Sequence, residues 1–109
     1  MKIHTKNKFH VSGNVTVCVL SAVVQLNNTS VYMTTRGIAR CSGGDVFDEE
    51  TGKRISESKA SIKMYNKIEK LIKTRVAFHN KVIGIYNTDL EKLNEIRDKE
   101  TQHLDGLLK

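Results

Sequence analysis

The chain has 109 residues, 39 % hydrophobic and 6 % aromatic, with a formal charge of +6 and a pI near 9.4. That length gives one domain with a modest core, 1–109, and the positive balance favours an anionic partner. Membrane insertion is excluded: no run approaches the ~18 consecutive apolar residues of a span, and "MKIHTKNKFHVSG" lacks the apolar core of a signal peptide, so a cytoplasmic location is expected.

In chain order, residues 1–46 read as antiparallel strands. "KFHVS" and "NVTVCVLSAVVQL" are joined at Gly13-Asn14, a hairpin-type turn. The second strand is apolar on both parities, through Val15, Val17 and Val19 on one side and Cys18, Leu20 and Ala22 on the other. Such a strand is expected to be covered on both faces. "LNNTS" is the next turn and "VYMTTRGIARC" the third strand. Tyr32, Thr34, Arg36, Ile38 and Arg40 share one of its faces; Val31, Met33, Thr35, Gly37 and Ala39 share the other. The arginine-bearing face is either solvated or occupied by a ligand.

Gly43-Gly44 supplies a turn, and Asp48 is a helix N-cap followed by Glu49 and Glu50, where the macrodipole favours acids. Capping accounts for the acids Asp45, Asp48, Glu49 and Glu50 better than a metal site does. From Glu49 the period becomes helical. Ile62, Tyr65, Ile72, Val76, Ile83, Tyr86, Leu90 and Leu93 keep a three-four spacing interrupted by Glu69 and His79. "NTDLEKL" predicts a break, with Thr88 as cap and Glu91 completing a capping box. The expected helical half, 49–108, is therefore two helices, a long one over 49–86 and a second over 89–108. The first would be about 57 Å long, against a radius of gyration of ~13 Å for a compact domain of this size. Its seam then needs cover from the second helix, another subunit or both. The expected fold class is α+β, an N-terminal antiparallel sheet followed by two C-terminal helices, in an oligomer.

Chemistry-bearing residues are cationic. Lys59, Lys63, Lys67 and Lys70 form one stripe along the helix, either a solvated face or an attractor of phosphates. His4, His10, His79 and His103 make no metal or catalytic motif, no serine sits in a nucleophile elbow, and the two glycines lack the Gly-Lys-Ser/Thr of a P-loop. Cys18 and Cys41 read as reduced thiols. An enzyme, a metal and a cofactor are not expected. A nucleotide-binding site needs arginine forks for phosphates, aromatic rings for bases and amides for polar edges. Arg36, Arg40, Arg54 and Arg97, with Phe78, Tyr86 and Asn80, supply them.

The double-sided apolar strand, then "GIARCSGGDVFDEETGKRISESKA", then two long helices resembles the phage-encoded anti-Thoeris sponge family, Thoeris anti-defence protein 1. That resemblance implies a small oligomeric protein of the host-cell cytoplasm, a dimer or higher and a hexamer if like the family. It would bind a cyclic ADP-ribose isomer, and in some members cyclic oligonucleotides, without degrading it. It also implies a pocket of a stacking aromatic with arginine and asparagine from the helical half, completed by another subunit, for which Phe78, Asn80 and Arg97 are the counterparts here. The stretch ending "ARC" and continuing through "GKRIS" is similar as well to small bacterial proteins likened to ribosome hibernation factors. In that alternative the same basic face would meet RNA.

Overall fold

The computed structural model describes residues 1–41 and 48–109. The Gly43-Gly44 turn and Asp45 lie outside the described residues. Three strands, β1 (Lys2–Ser12), β2 (Val15–Leu26) and β3 (Thr29–Arg40), form an antiparallel sheet in the order β1-β2-β3. One helix, α1 (Glu49–Leu107), follows. The chain divides into two compact units, Met1–Leu71 and Ile72–Lys109.

Two-residue turns set the register. Ser12 pairs with Val15 across Gly13-Asn14, and Leu26 pairs with Thr29 across Asn27-Asn28. Gly13 (φ 59°) and Asn27 (φ 55°) occupy the left-handed region, which glycine and asparagine enter at least cost. Asn14 then ties the first turn to the end of β3. Its Nδ2 donates to the Cys41 carbonyl and its own carbonyl accepts from the Cys41 amide, both at 2.9 Å.

β1 extends well to the N-terminal side of the expected "KFHVS". "KIHTKN" has little apolar content of its own and becomes a strand because β2 offers it a full ladder, down to Lys2 opposite Gln25.

In the first unit, α1 lies on one face of the sheet. Gly52, Ser56, Ala60, Met64 and Ile68 recur every four residues and are buried. They meet Thr16, Cys18, Leu20, Ala22 and Val24 of β2 and Thr35 and Ala39 of β3, all buried. Burying side chains the size of Met64 or Val24 contributes about 1.5–3 kcal/mol each. Burial pushes the Cys18 thiol up, and the nearby Glu57 carboxylate acts in the same direction. Small residues on both sides let helix and strand approach closely. A Cβ on Gly37 would sit 1.9 Å from the Ser56 carbonyl oxygen, and Thr35 Oγ1 donates to the Ala60 carbonyl at 2.8 Å.

Polar ties fix the helix to both edge strands. Over β1, Asn7 Nδ2 donates to Glu57 Oε1 at 3.2 Å and Lys53 Nζ stands 5.6 Å from the Phe9 ring centroid. Over β3, Lys59, Lys63 and Lys67 donate to the carbonyls of Ile38, Arg36 and Thr34 at 3.0, 2.9 and 3.2 Å. Three lysines of the expected stripe therefore cover acceptors along an edge strand that would otherwise invite another strand.

Asp48 caps α1 as its position predicts. Its Oδ1 accepts from the Glu50 amide at 3.1 Å, and its Oδ2 from Thr51 Oγ1 at 2.6 Å. The Thr51 hydroxyl, with the Glu50 and Thr51 amides and Arg54, lowers the Asp48 pKa.

Two sequence expectations are corrected. The helical half is one helix, not two: α1 runs unbroken through "NTDLEKL". Thr88 does not cap a new helix. Its Oγ1 donates back to the Gly84 carbonyl at 3.1 Å, which satisfies the hydroxyl within the helix. Without a proline anywhere in the chain, Asn87, Thr88 and Asp89 each cost well under ~1 kcal/mol of helix propensity, too little to break it. The second correction concerns β2, which α1 covers on one face only; Val15, Val17 and Val19 on the other face are half-buried and Val23 is exposed.

Candidate anion-binding groove and sheet face

The uncovered face of the sheet collects the cations of the N-terminal half. Alternation along β1 puts Lys2, His4, Lys6, Lys8 and His10 there, because Ile3, Thr5, Asn7 and Phe9 pair with the helix-covered residues of β2. β3 adds Tyr32, Thr34, Arg36, Ile38 and Arg40, all exposed. The register sets Lys8, Val19 and Arg36 in one row, His10, Val17 and Ile38 in the next, and Ser12, Val15 and Arg40 in the one beyond. Residues 1–41 contain no aspartate or glutamate, so nothing on these strands offsets the charge. A valine spine flanked by cations results.

Two concavities border this surface. A groove of about 470 Å³ runs along β3 in the first unit, lined by Thr34, Thr35, Arg36, Lys63, Asn66 and Lys67. Lys63 and Lys67 each spend one donor on a β3 carbonyl. An ammonium has three donors, so each retains capacity for a phosphate oxygen. Arg36 adds a planar fork suited to two oxygens at once. Asn66 adds an amide that can donate and accept. The second hollow, about 240 Å³, is lined by His4, Thr5, Lys6, Ser21, Ala22, Val23 and Tyr32. Tyr32 Oη donates to Ser21 Oγ at 3.2 Å, and the hydroxyls of Ser21 and then Thr34 lower the phenol's pKa. Its ring is 69 % exposed, which leaves an aromatic surface open to stacking.

Of the sequence-predicted residues, Arg36 lines the groove, and Arg40 shares its face about 13 Å further along β3. Arg54 belongs to the helix on the sheet's other face and stands 4.0 Å from Glu50, a solvated i,i+4 pair. Phe78, Asn80, Tyr86 and Arg97 all belong to the second unit and are exposed there. Phe78 meets the adjacent His79 ring edge-on at 5.6 Å, and Arg97 donates to Asn94.

Sequence reasoning recognised Lys63 and Lys67 as part of a stripe but not as neighbours of Arg36, and read only the second half of β1, leaving its cations unnoticed. The strict two-residue spacing of Lys2, His4, Lys6, Lys8 and His10 was the available signal. Among the described residues, no group of three His, Cys, Asp or Glu side chains could hold a metal ion, and no helix is long and apolar enough to cross a membrane. No family, curated protein or solved structure was found to match the chain.

Proposed function

We propose that this protein binds a phosphate-bearing nucleotide and holds it without chemical change, sequestering a cyclic nucleotide signal such as a cyclic ADP-ribose isomer to blunt bacterial anti-phage signalling. The observation that carries the reading is that Arg36, Lys63 and Lys67 all line one groove that no acid lines, with the Arg36 guanidinium set on the adjoining uncovered sheet face. Its volume falls within the ~300–1,000 Å³ of small-molecule sites. Arg36 and the two ammoniums would hold the pyrophosphate, Asn66 would meet a polar edge, and an exposed aromatic such as Tyr32 would stack on the base. Arg40 and the β1 lysines would raise the local concentration of the anion. The signal's identity and the role in immune evasion come from the family resemblance.

Calorimetry with cyclic ADP-ribose isomers tests this. Saturable binding is expected, with intact ligand recovered after denaturation. Replacing Arg36 by Ala removes charge-assisted bonds worth about 1.5–3 kcal/mol and is expected to weaken binding by roughly 10- to 100-fold. Arg54→Ala is expected to leave it nearly unchanged. Recovery of a cleaved product would end the sequestration reading.

The RNA alternative draws on the same cationic face and is favoured by its cations on both edge strands, β1 and β3. It predicts affinity falling by several powers of ten over a modest rise in salt. A groove holding one pyrophosphate would respond far less.

A further inference from the structure

In the second unit, α1 carries a seven-residue repeat whose seam is largely exposed. Taking Leu90 as position a, the a positions from Ile72 onward are Val76, Ile83, Leu90, Arg97 and Leu104. The d positions are Ile72, His79, Tyr86, Leu93, Glu100 and Leu107. Ile83, Leu90 and Leu93 are 54 %, 57 % and 55 % exposed, and Val76, Tyr86, Leu104 and Leu107 are exposed as well. The phase runs for about five heptads, with His79, Arg97 and Glu100 as polar positions in it, and its most apolar part, Ile72 to Leu93, covers the ~3 heptads that begin to mark a coiled coil.

From this pattern we infer that the second unit pairs with the same segment of another copy of the chain, as a parallel, in-register, two-stranded coiled coil. A repeat of this kind is self-complementary, because each a/d side chain is both the knob and part of the hole it needs. β-branched Val76 and Ile83 hold two of the a positions, as parallel two-stranded coiled coils favour, while the heptads that carry Leu93 and Leu107 at d have Leu90 and Leu104 at a. About five heptads present about twenty a, d, e and g positions per helix, close to the ~20–30 residues a side of a stable interface.

The polar seam positions bear on direction. In a parallel pair Arg97 faces its own copy and Glu100 faces its own copy, and because the two layers are adjacent, each guanidinium also has a carboxylate of the second copy one layer away to offset the like-charge contact within its layer. The antiparallel registers with greatest overlap between Ile72 and Leu107 instead place Glu100 opposite Val76 or Ile83. They would leave a carboxylate against an aliphatic side chain, which is heavily penalised. Flanking positions do not oppose the parallel arrangement. The g-to-e contacts it creates join Arg75 to Asn80, Val82 to Asn87, Asp89 to Asn94 and Ile96 to Thr101, with no like charges together.

This inference stands apart from nucleotide binding and bears on two of the residues that the sequence had proposed as ligand contacts. Tyr86 and Arg97 become interface residues. Phe78, at position c, lies off the seam, and Asn80, at e, borders it, so both stay within reach of a ligand.

The test uses the full chain with Cys41→Ser to remove the accessible native thiol. Leu93→Cys is expected to form a covalent dimer in high yield on mild oxidation, because parallel register sets each d position against its own copy. Glu95→Cys, on the outer surface, is expected to form none. Light scattering of the unsubstituted protein should give an even number of copies. Should Leu93→Cys prevent folding, Leu107→Cys repeats the test near the helix end. A monomer at tens of micromolar, an odd number of copies, or cross-linking at Leu93 no better than at Glu95 in a folded protein would overturn the inference. None of these readouts depends on a ligand, so a failure of nucleotide binding leaves them intact.

Discussion

Replacing Gly37 by alanine probes the contact on which the first unit depends. The added Cβ would stand 1.9 Å from the Ser56 carbonyl oxygen and 2.6 Å from the Ala60 amide nitrogen, where ordinary contact begins near 3.4 Å. Both obstacles are backbone, so no side chain can swing aside. The helix must retreat by about 1.5 Å at that point. Such a retreat breaks the 2.8 Å bond from Thr35 to Ala60 and loosens the packing of Met64 over β2. Overpacking at the top of its usual range costs ~3 kcal/mol and the lost bond adds ~1 kcal/mol. A loss near 4 kcal/mol is a large share of the ~5–15 kcal/mol that holds a typical domain together. At ~4–8 °C per kcal/mol the melting temperature should fall by upwards of about 15 °C. Urea denaturation followed by circular dichroism measures it. Gly84→Ala is the control, because nothing lies within 4 Å of that position. It should stabilise the chain by up to ~1 kcal/mol through helix propensity alone. If Gly37→Ala unfolds at the same denaturant concentration as the parent, the helix does not rest on β3 at this point.

Three further outcomes are expected. Substituting Lys59, Lys63 and Lys67 together by alanine should cost under ~1 kcal/mol per bond but uncover the β3 carbonyls, so self-association through that edge should rise in sedimentation experiments. Asp48→Ala should destabilise the protein at neutral pH. The Asp48 pKa is lowered on folding, so its contribution is complete above the ordinary aspartate value of 3.8 and fades as pH falls through the lower folded value. Equal stability of the two proteins in strong acid, but not at neutrality, checks this. Cys18, fully buried and with its pKa raised, should react with a thiol reagent far more slowly than Cys41 until denaturant is added. Equal rates in native buffer would contradict the packing described.

What the sequence makes legible follows from local pattern. The valine alternation of β2 and the Gly13-Asn14 turn place the hairpin, and the parity of β3 separates Arg36 and Arg40 from Thr35, Gly37 and Ala39. Asp48 is identified by its place before two acids. The first half of β1 escapes because its strand character comes from β2 and not from its own composition. The predicted break at Thr88 fails because a threonine hydroxyl can satisfy itself on the preceding turn as readily as it can cap a new one. The groove is hidden for a longer-range reason. Lys63 and Lys67 reach the Arg36 and Thr34 carbonyls because Gly37 leaves room for α1 to lie against β3, and no periodicity within the helix encodes that docking.

Titration of isotopically labelled protein with a cyclic ADP-ribose isomer, followed by amide resonances, tests the central claim most directly. Binding at the proposed site predicts saturable shifts concentrated at Thr34, Thr35 and Arg36 of β3 and at Lys63, Asn66 and Lys67 of α1, abolished by Arg36→Ala. Shifts absent from those residues, or confined to the second unit, would contradict it.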